Sequence, residues 1–363
     1  MSNVYKINNY CSELDWDSIL KPDCINLVVA GTGSGKTKVF MDMSTEDNRK
    51  VAFVAPFLSI TNQVKSLYPD MTISTGTKET EETCADGRIT SFHSIPRLLE
   101  LEQIDLLVID EIHSLVGYAG YTFGMLTTFW NTFEQLKQKH PNMKVVALTA
   151  TPQFLLMYPK IDFNLIVVQS KNPLSKPKEV LVKRSWLHQL KKSDNSFIYL
   201  YASKSQGKKQ ADKYNGAYID SATKDASKVY MKLLDGEAVH PRIFTSTLLA
   251  TGISINTPIP TAITNWPDLV DIVQFSARVR PGVDKLLVTQ TIPYFARNGL
   301  DKPVLAWTGN FESDMKLLNQ YQTYYSILAH SMDEGTLHNI IYQMLYLPQE
   351  ELPDIEYFSE DGF

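Results

Sequence analysis

Short apolar runs recur through the first half of the chain, at residues 25–29, 51–54, 88–92, 104–109, 145–148 and 165–168. Each has the length of a strand, and most lack the strict polar–apolar alternation of a half-exposed one. Such runs predict strands covered on both faces. Segments of helical length separate them, which reads as βα units around a parallel sheet. Residues 170–179, Ser-Lys-Asn-Pro-Leu-Ser-Lys-Pro-Lys-Glu, break the pattern and read as a linker. A second series follows at 197–201, 217–219, 243–245, 261–264 and 285–289. From 312 to 347 the pattern turns helical, with Leu317, Leu318, Tyr321, Tyr324, Tyr325 and Leu328 as its apolar positions. The expected organisation is α/β, with domains at 1–170 and 178–310. A helical appendage at 311–363 ends in an acidic tail beginning at Gln349.

The break after the first run carries chemistry. Residues 30–37 read Ala-Gly-Thr-Gly-Ser-Gly-Lys-Thr. A buried strand running into this turn and then a helix suits a nucleoside triphosphate, because backbone N–H groups can wrap its phosphates. Gly31, Gly33 and Gly35 let the backbone approach without a Cβ in the way, and Thr32 and Ser34 lie between them. Lys36 is expected to neutralise the β- and γ-phosphates, and the Thr37 hydroxyl to ligate Mg²⁺. The helix opening near Lys36 would point its positive end at the same anion. Ala30 stands where the general pattern has Gly, a position that needs only its backbone.

The run 104–109 ends in Asp110-Glu111-Ile112-His113. Two carboxylates at the carboxyl edge of a parallel sheet sit where α/β folds bind ligands. Asp110 is expected to hold Mg²⁺ and Glu111 to take the proton of an attacking water. Small hydroxyl residues follow the run 145–148, and Thr149 and Thr151 could relay hydrogen bonds from His113. Pro56 and Phe57 follow the second run and Thr90 and Ser91 end the third, positions suited to backbone phosphates. In the second half, Thr245 and Ser246 open a stretch reaching Gly252 and Ser254. Downstream, Gln274-Phe-Ser-Ala-Arg278-Val-Arg280-Pro281 holds two arginines that could stabilise charge in phosphoryl transfer.

Composition narrows this picture. At 363 residues the chain can bury two cores. Its three cysteines, Cys11, Cys24 and Cys84, lack metal-site spacing, which leads us to expect a reducing, cytoplasmic setting. No segment is apolar for long enough to span a bilayer, and the N-terminus does not read as a signal peptide. The net charge of −5 argues against a protein that coats nucleic acid, though not against one that grips phosphates locally.

In the order of these motifs the chain resembles superfamily 2 helicases across roughly residues 25–290. Residues 30–37 match motif I as A-x-x-G-x-G-K-T. Residues 110–113 match motif II in D-E-x-H form, 149–151 motif III, 197–204 motif IV, and the Thr245 and Gln274 stretches motifs V and VI. The resemblance implies two RecA-like domains, each a mostly parallel sheet flanked by helices. It also implies Mg²⁺ and ATP between the domains, with Gly252 near the nucleotide, and a strand held by Pro56, Phe57, Thr90, Ser91, Thr245 and Ser246. Gln274, Arg278 and Arg280 would serve hydrolysis from the second domain. Gln-x-x-x-Arg-Val-Arg and Thr-Ser-(x)₅-Gly-Ile-Ser are most similar to herpesvirus origin-binding helicases and phage or plasmid relatives. That implies DNA ahead of RNA, a role in replication, and a replication partner for the C-terminal region. Departures stand against a DEAD-box RNA helicase, which carries Asp where this chain has His113, Thr247 and Ser254: no Q motif precedes Ala30, and Pro281 stands where the last motif VI arginine falls. Two alternatives stay open: a duplex DNA translocase that separates no strands, and an ATP-gated binding module that loads a partner.

Overall fold

The uniform apolar runs fold as strands whose successive side chains enter two different cores. In β2 (Ile25–Ala30), Ile25, Leu27 and Val29 join one apolar cluster while Val28 and Ala30 join another. The same split divides Val51, Phe53 and Ala55 from Ala52 and Val54, and Leu106 and Val108 from Leu107 and Ile109. A strand covered on both faces is therefore apolar at nearly every position; Asn26, the exception in β2, is buried with its amide donating to Lys21 O and Val145 O. This is seen in a computed structural model, which describes residues 3–47, 49–75, 78–79, 87–172, 175–192, 196–249, 253–291, 301–346 and 352.

The chain divides into two units, Met1–Pro173 with Val304–Gln320, and Leu174–Pro303 with Tyr321–Phe363. The first is built on β1 (Asn3–Ile7), β2, β3 (Val51–Ala55), β4 (Thr72–Thr75), β5 (Lys78–Glu79), β6 (Gly87–Ser91), β7 (Leu106–Ile109), β8 (Lys144–Thr149) and β9 (Phe163–Ser170). Their order in the sheet is β1-β9-β2-β8-β7-β3-β6-β4-β5, parallel except for the β4–β5 pair. The second unit holds β10 (Glu179–Lys183), β11 (Phe197–Leu200), β12 (Ala217–Ile219), β13 (Arg242–Thr245), β14 (Thr261–Thr264) and β15 (Lys285–Thr289). These form an all-parallel sheet in the order β10-β15-β14-β11-β13-β12.

Four strands are absent from the sequence reading: β1, β4, β5 and β10. β10 starts at Glu179, the last residue of the expected linker, and β9 runs on to Ser170, its first. The expected strand 88–92 also ends one residue early, because Phe92 opens a 3₁₀ helix, Phe92–Glu100.

Residues 311–363, expected as one appendage, are divided between the units. In the helix Phe311–Ser331, Phe311, Met315 and Leu318 lie in a core of the first unit, with the Phe311 ring stacked on Trp130 at 4.4 Å. From Tyr321 onward the helix is counted with the second unit. There Gln322 donates to Asp268 Oδ2 at 2.9 Å, and Ser326 Oγ accepts the Leu269 N–H at 3.2 Å.

Glu312 on this helix completes a helix start that its own glycine cannot cap. The helix Met125–Lys139 begins after Gly124, which sits at φ 75°. Glu312 accepts the Gly124 N–H at 3.0 Å and the Thr127 hydroxyl at 2.8 Å, and pairs with Lys316 at 2.9 Å. The Gly124 N–H, then the Lys316 and Thr127 contacts, hold its carboxyl down at about 2. This value lies below the ordinary 4.5, so the stabilisation is complete above about pH 4.5 and is lost as pH falls towards 2. Glu312→Gln is expected to cost about 1–2 kcal/mol at neutral pH. Urea unfolding of both proteins at pH 7 and at pH 3 should show that difference shrinking in acid.

Candidate functional site

The site is assembled at the carboxyl ends of β2, β7 and β8. After Ala30 the chain turns through Gly31–Gly35, with Gly33 at φ 84° and Gly35 at φ 79°. Only glycine adopts such angles without cost. The helix Lys36–Glu46 starts directly from Gly35. Its first N–H groups point back into the loop, the geometry of an anion site.

The loop is braced from the N-terminal segment. The Cys11 N–H donates to Ser34 O at 2.8 Å, and its thiol lies 3.6 Å from Ser34 Oγ. A Cβ at position 35 would stand 3.7 Å from the Tyr10 ring. Glu13 fixes that segment by accepting the N–H groups of Asn8, Asn9 and Tyr10 at 2.8, 2.7 and 3.0 Å, which hold its carboxyl down at about 2. Tyr10 and Glu13 were not picked out from the sequence. The signal was a carboxylate three residues after Tyr10, the spacing of a capping box.

Lys36 Nζ donates to Ala30 O at 2.9 Å and Gly31 O at 3.2 Å, so its ammonium lies along the glycine loop. The Thr37 hydroxyl donates to Asp110 Oδ2 at 3.0 Å, joining residues 73 positions apart. Burial first, and Glu111 second, push the Asp110 carboxyl up to about 6 against the pull of Lys36. A buried carboxylate hydrogen-bonded to a half-buried hydroxyl, both hard oxygen donors, fits Mg²⁺.

Glu111 has φ 49°, a left-handed backbone that costs a non-glycine residue roughly 1–3 kcal/mol. His113 Nδ1 lies 3.4 Å from Glu111 Oε2 and 2.9 Å from Thr149 Oγ1. Thr149 Oγ1 also accepts the Thr151 N–H at 3.0 Å. Glu111, His113, Thr149 and Thr151 thus form one chain of polar contacts inside the first unit.

The residues expected along a strand are less uniform. Pro56 and Phe57 follow β3, with Pro56 buried and Phe57 half-buried. Thr90 is buried and donates to Ser74 O at 2.7 Å, while Ser91 donates to Ser94 Oγ at 3.3 Å. In the second unit Thr245 closes β13, buried, and its hydroxyl donates to Ser246 O at 2.9 Å. Ser246 is buried beside it. The Thr90 and Thr245 hydroxyls are therefore committed to the protein itself. Gly252 lies outside the described residues, as does the acidic tail from Gln349 apart from Leu352.

The helix Leu269–Ser276 presents Gln274, whose Oε1 accepts Arg278 Nη2 at 2.9 Å. Arg278 follows the helix in a turn and is buried. Arg280 lies past an isolated parallel bridge between Ile255 and Val279, and its guanidinium reaches Ser254 Oγ. The two arginines are thus not on a common helix. The sequence reading also missed Asp271, which accepts the Trp266 indole N–H at 2.7 Å. Burial, then Asp268, push its carboxyl up to about 7, while Arg278 pulls it down.

Comparison with known proteins places this geometry. Residues 5–154 match the family model of the type III restriction enzyme, res subunit. No curated protein sequence matches the chain. Among solved structures, the Escherichia coli DEAH/RHA helicase HrpB is similar at TM-score 0.54 and 13% identity, over 76% of this chain and 41% of HrpB. The chain therefore spans well under half of that protein's length. Dbp5 of S. cerevisiae, solved with RNA and ADP BeF3, is similar at TM-score 0.50 and 14% identity, over 88% of this chain and 89% of Dbp5. The fold is that of two RecA-like domains as in the DEAH and DEAD helicases, with a helical C-terminal region. Among the described residues no helix is long and apolar enough to cross a membrane.

Proposed function

We propose that this chain is a nucleic-acid-dependent ATPase of the superfamily 2 helicase type. The observation that carries the reading is the Thr37–Asp110 contact at 3.0 Å, which joins the phosphate loop to the acidic strand end. Gly31–Gly35 cradles the phosphates, Lys36 neutralises them, and Thr37 and Asp110 hold Mg²⁺. When bound, the metal would offset charge on the transferring phosphoryl group. Glu111 takes a proton from water as its oxygen bonds to the γ-phosphorus and the bond to the β-phosphate oxygen breaks. Arg278 and Arg280, with Gln274, are the groups assigned to stabilising the developing charge. The chain Glu111–His113–Thr149 carries the state of the nucleotide onward.

DNA is the proposed track, and strand separation in the replication of a virus, phage or mobile element the proposed setting. Both rest on the likeness of the Thr245 and Gln274 stretches to origin-binding helicases. A second reading, translocation on duplex DNA without strand separation, is favoured by the restriction-enzyme match over residues 5–154. Phosphate release measured without nucleic acid, then with single-stranded DNA, duplex DNA and RNA, tests the proposal. The expected result is Mg²⁺-dependent turnover that rises several-fold with single-stranded DNA. Stimulation by duplex alone, with triplex displacement, selects the second reading. Turnover indifferent to every nucleic acid overturns both.

A further inference from the structure

Beside the acidic strand end, the first unit exposes aromatic rings that the proposed chemistry does not use. The short helix Ser114–Tyr118 runs into Ala-Gly-Tyr121-Thr-Phe123-Gly124. Tyr121 is 70% exposed and Phe123 95%. Exposed rings are common on mobile loops, but this loop is held at both ends. Its start is tied by the Tyr121 and Thr122 N–H groups and the Thr122 hydroxyl, all donating to Tyr118 O at 2.8–3.1 Å. Its end is tied by Gly124 to Glu312. Gly120 lies so close to Asn319 that an added Cβ would fall 2.7 Å from that side chain's oxygen.

The rings are also placed. Tyr118, itself buried, donates its hydroxyl to Pro56 O at 2.6 Å. Its ring lies 5.8 Å from Phe57, 5.9 Å from His93 and 5.1 Å from Tyr121. Tyr118 thus links the loop to the ends of β3 and β6, where Pro56, Phe57 and Ser91 are the candidate backbone contacts. Lys316 Nζ stands 5.1 Å from the Phe123 ring.

We infer that Tyr121 and Phe123 form a stacking platform for unpaired bases of a single strand lying along the ends of β3 and β6. The inference rests on the nucleic-acid reading above and adds a base contact to its backbone contacts. Exposed rings on a loop tethered at both ends suit the π-faces of unpaired bases, and Lys316, though paired with Glu312 at 2.9 Å, packs against the Phe123 ring. A protein partner fits less well, since two rings supply roughly 150–250 Å² each against the ~1,000 Å² a specific interface needs. Every base has a π-face, so the platform should not select sequence.

The test is binding of labelled dT20, rU20 and an abasic DNA 20-mer to the wild type and to the Tyr121→Ala/Phe123→Ala double variant. Loss of the platform should weaken binding to dT20 by about 10-fold or more, and leave abasic binding and turnover without nucleic acid unchanged. A parallel loss on rU20 extends the platform to RNA, and a loss on dT20 alone restricts it to DNA. The Phe123→Trp variant should keep its affinity, and its emission should be quenched by base-bearing strands only. Wild-type binding of dT20 that survives in the double variant overturns the platform and leaves the nucleic-acid reading standing. Equal losses on dT20 and abasic strands also overturn it. A double variant that binds strands normally but no longer self-associates assigns the rings to a protein contact instead. A wild type that binds no strand removes both readings.

Discussion

Lys36→Ala should abolish ATP turnover and leave the fold in place. The ammonium of Lys36 donates to Ala30 O and Gly31 O, both in the glycine loop. Its stem opens a helix, where alanine is the best helix former, so the substitution does not cost helix stability. What disappears, under the proposed function, is the positive charge that would face the β- and γ-phosphates. A preorganised charged donor of this kind is worth at least about 10³-fold in rate. Phosphate release should fall by that factor, while circular dichroism and the melting temperature stay within a few degrees of wild type. Turnover near wild type would remove the nucleotide site from this loop.

Glu111→Gln should bind ATP and hydrolyse it roughly 10²–10⁴-fold more slowly. The amide keeps the shape of the side chain and its approach to His113, and loses the ability to take a proton. The backbone separates this role from a structural one. Glu111 sits at φ 49°, and glutamine at that angle is as strained as glutamate, so Glu111→Gln should leave stability unchanged. Glu111→Gly should relieve the strain and raise stability by about 1 kcal/mol while remaining inactive. Fluorescent-nucleotide binding, single-turnover hydrolysis and denaturant unfolding of the two variants distinguish these effects. Normal hydrolysis by Glu111→Gln would exclude Glu111 as the base.

What the sequence displayed was whatever depends on neighbours along the chain. Gly33 and Gly35 were readable because their positive φ admits few other residues. β2, β3, β7 and β8 were readable because strands buried on both faces are apolar at most positions. Strands at the sheet edges escape that rule. β1 is exposed at Asn3 and Val4, and β10 alternates Glu179, Val180, Leu181, Val182 and Lys183 beside a proline-rich stretch. Contacts between distant residues left no local trace. Nothing near Thr90 announces that its hydroxyl is taken by Ser74 O, and nothing near Gly124 points to Glu312. Asp271 was hidden differently, as the one acid in a mostly apolar helix, with its partner, Trp266, five residues back.

The division of the helix Phe311–Ser331 bears on where this protein can be cut. A fragment ending at residue 173 contains the whole nine-stranded sheet and every nucleotide-site residue of the first unit. It would nonetheless leave bare the surfaces of Trp130 and Tyr158 that Phe311 and Trp307 cover, and would lose the carboxylate at the Gly124 helix start. The glycine loop and the plug that seals its domain's core are thus separated in sequence by residues 174–303, which carry the whole six-stranded sheet of the second unit. A ribosome has to finish most of the chain before the nucleotide-binding half can close its own interior.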